Sequence, residues 1–213
     1  LMASIRDKEV NKVFVFNTLL WFIMATLIVP FVYILQLIMP DFYEFWTLGK
    51  FEFDSQVFAL FSLVVLTYTV CSPLEAIVKG NNLVKEQAMI SFISVVLLMI
   101  FIVMFGTRLG VMGVAISLLL VELVVLAIYS FIGFSWLKKA GFTLPLRSFI
   151  TALLCLFVTA VNFYLITTAT SPRYSLYIIG ISVSLFMGFL FWQLYPFSVK
   201  HQVVTLVKSK IKR

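Results

Sequence analysis

The sequence predicts an all-α integral membrane protein of six transmembrane helices. Three observations carry that prediction. Of the 213 residues, 62% are hydrophobic and only 12% are charged, against about 25% charged in soluble domains. A soluble fold cannot cover so much apolar surface, so the solvent is lipid. Six nearly uncharged runs each reach the roughly 20 residues that cross a bilayer. The connections between them alternate in charge, as loops on opposite faces of a membrane do.

The first run is Val13 to Met39, with Pro30 inside it and Pro40 closing it. Proline removes a backbone donor, so Pro30 should kink the helix unless a neighbour satisfies the freed carbonyl. The second run is Gln56 to Val78 and the third is Gln87 to Phe105. The fourth is Val111 to Ser135, the fifth Ser148 to Thr170 and the sixth Tyr174 to Val199. The third and fourth are separated only by Gly106 to Gly110 with its single Arg108, which predicts a tight hairpin of two membrane helices.

Sixteen Lys and Arg against nine Asp and Glu leave a net charge of +7. The excess is not spread evenly. Thirteen of the basic residues fall in the arm 1–12, the second-to-third and fourth-to-fifth connections and the tail 200–213; Lys50, Arg108 and Arg173 are the three on the other side. The positive-inside rule then places both termini in the cytoplasm of a multi-pass plasma-membrane protein. In a membrane protein this excess marks cytoplasmic loops rather than nucleic-acid binding. Tyr43, Trp46, Trp136 and Tyr174 sit at span ends, where interfacial aromatics belong. The tail mixes lysines with Val203, Val204, Leu206, Val207 and Ile211. It is either a short basic helix on the anionic leaflet or a solvated end. The chain opens on Leu1 rather than Met and is expected to be a piece of a longer protein, its N-terminal part missing.

Glu122 is the first candidate functional residue. A charge at mid-membrane costs several kcal/mol and normally faces a cavity or a partner. It reads either as a proton or cation site or a contact to substrate, or as a protonated acid bonded to a neighbouring helix. Ala115, Glu122 and Tyr129 share one face at seven-residue spacing, while Gly110, Gly113 and Ser117 form a separate small-residue stripe for helix packing. Glu75, four residues before Lys79, is expected to form an interfacial ion pair and is a weaker functional candidate. Gly180, Ser184 and Gly188 form a second packing stripe. Asn162 and Gln193, polar within the fifth and sixth runs, are expected to bond across helices. Cys71 and Cys155 lie in apolar runs and read as small buried hydrophobes.

No nucleophile with a base, paired acidic loop motif or phosphate-cradling glycine loop is present, so catalysis has no support. With one His and no close Cys pair, no metal site is expected, and no cofactor. Asp41, Glu44, Glu52 and Asp54 are numerous enough to attract a cation but read as a solvated loop.

The hairpin Phe105-Gly106-x-x-x-Gly110-x-x-Gly113-Val114-Ala115, followed by Glu122, resembles the C-terminal lobe of bacterial polysaccharide (O-antigen type) flippases. These belong to the multidrug/oligosaccharidyl-lipid/polysaccharide exporter superfamily. Met39-Pro40 before Phe45-Trp46-Thr47-Leu48-Gly49, and Lys79-Gly80-Asn81-Asn82 with Lys85, resemble the family's loops in the same order. The resemblance covers residues 1–132; the last two spans match by position and hydropathy. It implies six helices forming most of the C-terminal lobe of a 12–14-helix, two-lobe transporter. Such a protein flips an undecaprenyl-pyrophosphate-linked oligosaccharide across the plasma membrane by alternating access. Its partners would be membrane lipids and a polysaccharide polymerase or glycosyltransferases. The family's cavity is cationic, whereas no Lys or Arg lies inside a run here, so no substrate contact is assigned. The alternatives are a drug/cation antiporter of the same superfamily and a non-transporting membrane subunit of a polysaccharide synthase.

Overall fold

A computed structural model describes residues 10–141, 145–168 and 173–194, and every regular element among them is helical. The helices are α1 (Val10–Ile23), α2 (Val29–Thr47), α3 (Ser55–Gly80), α4 (Val84–Phe101), α5 (Thr107–Lys139), α6 (Leu146–Thr168) and α7 (Arg173–Leu194). A π-helical turn, Met24–Ile28, joins α1 to α2, and another, Ile102–Gly106, joins α4 to α5. Five stretches are long and apolar enough to cross a membrane: Phe16–Thr47, Ser55–Gly80, Val84–Lys139, Leu146–Thr168 and Ser175–Gln193. Large side chains cover the outside, among them Phe92, Phe131 and Phe157, as lipid rather than water requires. The tail 200–213 and most of the arm 1–12 lie outside the described residues.

The first π turn answers the problem set by Pro30. Proline cannot donate to the carbonyl four residues back. The chain widens just ahead of it, and the Val29 N–H reaches back five residues to the Met24 carbonyl. Pro30 then falls in the first turn of α2, where its missing donor is harmless.

Pro40 does not end the first span. It sits inside α2, which runs on to Thr47. The helix stops instead at Leu48 (φ 54°) and Gly49 (φ 68°), whose left-handed backbone lets their N–H groups cap the last carbonyls. Asp41 and Glu44 are therefore helical residues rather than loop residues. Asp54 has a local duty: its carboxylate accepts the Gln56 and Val57 N–H groups at 2.9 and 3.0 Å, capping α3.

The stretch Val84–Lys139 holds 56 residues and, if straight, would be about 84 Å long. It is not straight. Gly110 has φ 58° and ψ −134°, outside every helical region, and the chain folds back there. Residues seven and eight apart on a straight helix are more than 10 Å distant. Yet a Cβ built on Gly113 would collide with the Phe105 carbonyl and lie 2.8 Å from the Gly106 nitrogen. The expected turn thus forms, but as one glycine torsion rather than a five-residue loop, since Gly106 and Thr107 keep helical geometry. Gly110, expected as a packing position, is the pivot; Gly113 is the contact. α4 lies at the edge of the bundle, with Ile90 its one fully buried residue.

α3 is the centre of the bundle. It packs most extensively on α5, then on α6, and also touches α1, α2 and α4. α5 and α6, though consecutive, scarcely touch each other. The α1–α2 unit closes on α7 through the second small-residue stripe: Gly180 sits on the Tyr33 ring and Gly188 on the Thr26 methyl, with Ser184 buried between.

Gly113→Ala should destabilise the detergent-purified protein by about 2 kcal/mol, since backbone cannot yield to the added methyl. Gly106→Ala, whose Cβ would meet only side chains at 3.4 and 3.6 Å, should change stability by less than about 0.5 kcal/mol. Thermal unfolding of both variants checks this; equal effects would mean that residues 105 and 113 are not in contact.

Candidate functional site

Burying polar groups inside an apolar bundle costs free energy unless each finds a partner. The polar residues that lack one therefore mark where something other than packing has fixed the sequence. Five such side-chain atoms are buried without a partner among the described residues. They are both amide atoms of Asn17, Gln36 Oε1, Asn162 Oδ1 and Glu122 Oε2.

Glu122 is on α5, about 16 Å along the axis from the start of the segment at Val111. Its face is the one expected: Ala115 and Tyr129, a heptad either side, are buried. That face looks onto α3, against which Gly133 also closes: a Cβ built there would lie 3.4 Å from the Leu74 side chain. Glu122 is half-buried, and its Oε2 is enclosed with no hydrogen-bond donor.

Glu75 stands on the same seam, on α3. With α3 and α5 parallel and Leu74 level with Gly133, it lies about three turns from Glu122 along the axis. Tyr129 lies between their levels, on the face of α5 that carries Glu122. Glu75 is also held by Lys79, whose Nζ lies 2.7 Å from its Oε1. The ion pair read from the i,i+4 spacing is present. The lysine side chain is half exposed, so the pair contributes little to stability. The seam thus carries Glu75 and Cys71 on α3 and Glu122 and Tyr129 on α5, with one lysine at its end.

The other sites behave differently. Asn162 is buried on α6 as its position in an apolar run implied, but its Oδ1 has no partner across the helices. Gln193 is exposed near the end of α7. The cross-helix bond expected of it is not made, because its position on the helix turns it outward. Ser117 is fully buried and bonds only its own helix, Oγ to the Gly113 carbonyl at 2.7 Å. Cys71 and Cys155 are buried and unbridged.

Two polar residues escaped the sequence reading. Gln36 is buried where α2, α3 and α7 meet: its Nε2 donates to the Ser55 carbonyl at 2.9 Å, and the Tyr177 hydroxyl donates to its backbone carbonyl at 3.5 Å. Asn17 is wholly buried one turn before Trp21. Trp21 in turn donates its Nε1–H to the Val70 carbonyl at 2.9 Å, fastening α1 to the central helix. The available signal was two amides inside one uncharged run, Val13 to Met39.

Comparison with known protein families, characterised proteins and solved structures finds no match to this chain.

Asn17→Leu should raise the melting temperature of the purified protein, since it removes two buried unpaired atoms at similar volume. The gain should be about 1 kcal/mol. A loss of stability of that size would show that the amide has a partner in the membrane.

Proposed function

We propose that this chain belongs to a transporter that flips a lipid-linked oligosaccharide across the bacterial plasma membrane by alternating access, with Glu122 as its ion-coupling or cargo-contacting group. The observation that carries the reading is the enclosed, partnerless Oε2 of Glu122 on the α3–α5 seam. Packing gains nothing from an acid there, and a leucine would serve it better. The reversal at Gly110 supports reading Val84–Lys139 as two crossings; on this proposal the chain is a six-helix unit, most of one lobe of a two-lobe protein, and its charge asymmetry favours cytoplasmic termini. The unpaired Asn17 and Asn162 suit a bundle through which polar groups pass or against which a second lobe closes. The resemblance at residues 105–122 supplies the oligosaccharide; the non-transporting subunit gives no reason for an unpaired acid.

One observation favours the drug/cation antiporter instead. The seam carries two acids against one lysine, which suits a cationic cargo better than a pyrophosphate.

The test uses the full-length protein in a flippase-deficient strain at matched membrane levels. Glu122→Gln keeps shape and removes charge, so surface polysaccharide should fall several-fold while the protein stays folded. If Glu122 only bonds a neighbouring helix, Gln should behave as wild type and Leu should cost about 0.6 kcal/mol. Wild-type polysaccharide with Gln removes Glu122 as a functional acid. Failure of the wild-type protein to complement, with efflux of cationic dyes, selects the antiporter. For the topology, a cysteine replacing Lys50 should be labelled by an impermeant thiol reagent in intact cells. Labelling only after permeabilisation would reverse the orientation.

A further inference from the structure

α5 and α6 both lean on α3 and meet each other chiefly at the Phe134–Phe149 stack, which leaves a groove between them. Its two ends differ in chemistry. One end holds a pocket of about 200 Å³ with an uncharged polar rim of Gln56, Tyr164, Thr167 and Thr168. The other end opens into a cavity of about 560 Å³ between Phe131, Phe134, Phe149, Ile150 and Lys138, within the size range of small-molecule sites.

The floor of this second cavity is rigid. The Phe149 ring stacks edge-on against Phe134 at 5.1 Å and tilts against Trp21 at 5.5 Å. Trp21 is itself pinned to Val70. The walls are apolar and reach into lipid, with Phe131 77% and Ile150 54% exposed.

The mouth is cationic. Lys138 lines it, Lys139 follows, and Arg147 adjoins the lining residue Leu146. All three are exposed, and among the described residues none pairs with an acid. The first turn of α6 also begins here, at Leu146. An apolar slot that opens to the bilayer, under a cluster of three exposed cations, matches one kind of occupant. That occupant has a hydrocarbon chain and an anionic phosphate head.

We infer that the basic end of the α5–α6 groove is a binding site for an anionic phospholipid of the leaflet on that side. The acyl chain lies along Phe131, Ile150 and Phe149, and the phosphate is held by Lys138, Lys139 and Arg147. The cations supply selectivity for the charged head; the slot supplies most of the affinity through buried apolar area. The inference requires that the chain lie in a bilayer and is independent of whether it transports anything.

The test is native mass spectrometry of the full chain, released from detergent micelles doped equally with phosphatidylglycerol and phosphatidylcholine. The wild type should retain phosphatidylglycerol several-fold over phosphatidylcholine. The triple variant Lys138→Ala, Lys139→Ala, Arg147→Ala should lose that preference. Ile150→Trp keeps every cation but fills the slot, and should lose the lipid while its melting temperature stays within a few degrees of wild type. Millimolar inorganic phosphate should not displace the lipid. Four results would overturn the inference: equal retention of both lipids by the wild type, an undiminished preference in the triple variant, full retention by Ile150→Trp, or displacement by phosphate. The first would leave the mouth to an acidic protein partner; the last two would reduce it to a surface anion site without a chain.

Discussion

Lipid offers no hydrogen bonds to a backbone that leaves its helix, and this constraint shapes every irregularity in the chain. Three places break the regular ladder: Pro30, the reversal near Gly106–Gly110 and the end of α2. At Pro30 the ladder widens to a π turn instead of opening, so the Met24 carbonyl keeps a donor. At the reversal the helix persists through a second π turn and gives way at Gly110, which has no Cβ to clash. At Leu48 and Gly49 the last carbonyls are capped by the chain's own N–H groups. The side chains follow the same rule. Serine and threonine hydroxyls throughout the bundle, such as Thr67 and Thr159, bond the carbonyl one turn back on their own helix. Few polar groups are left for bonds between helices, so the helices are held mainly by shape.

Shape explains the small residues. Gly133 lets α5 approach Leu74, Gly180 accepts the Tyr33 ring and Gly188 accepts Thr26. Thr26 lies in the first π turn. The accommodation of Pro30 and the docking of α7 therefore occupy the same place in the fold: the widened turn presents the side chain on which the last helix sits. Around this, the Trp21 bond to Val70 and the Trp21–Phe149–Phe134 stack tie α1, α3, α6 and α5 together near the basic end of the molecule.

Composition and run length were enough to read the helical membrane class, because burying a helix in lipid leaves a hydropathy signal independent of its neighbours. The Glu75–Lys79 pair and the Gly180–Gly188 stripe were legible for a similar reason: both depend on spacing along one helix. Pro40 was misread as a stop because propensity treats a proline by what it removes, and nothing in the run told that α2 would carry it inside a longer helix. Gln193 was misread because the outward turn of α7 is fixed by which of its faces finds Tyr33 and Thr26, a property of the partner helix. The seam was half legible. Glu122 announces itself as a mid-span acid, but its meeting with Glu75 and Tyr129 depends on α3 and α5 running side by side. Asn17 and Gln36 were hidden by the run they share, since two amides scarcely alter the hydropathy of a span as apolar as Val13 to Met39.

The contacts of Gly180 with Tyr33 and of Gly188 with Thr26 have a consequence for how the protein is made. Membrane helices enter the bilayer in the order in which they leave the ribosome, and α1–α2 precedes α7 by the whole length of the bundle. Until α7 arrives, the ring of Tyr33 and the widened turn at Thr26 stand open to lipid. The seat is completed by a helix synthesised much later than α1–α2, and closing such distant contacts is the slow part of assembly. A nascent chain stalled before residue 180 would thus present an unfinished flank on α1–α2, a surface that membrane chaperones and quality-control proteases recognise as incomplete.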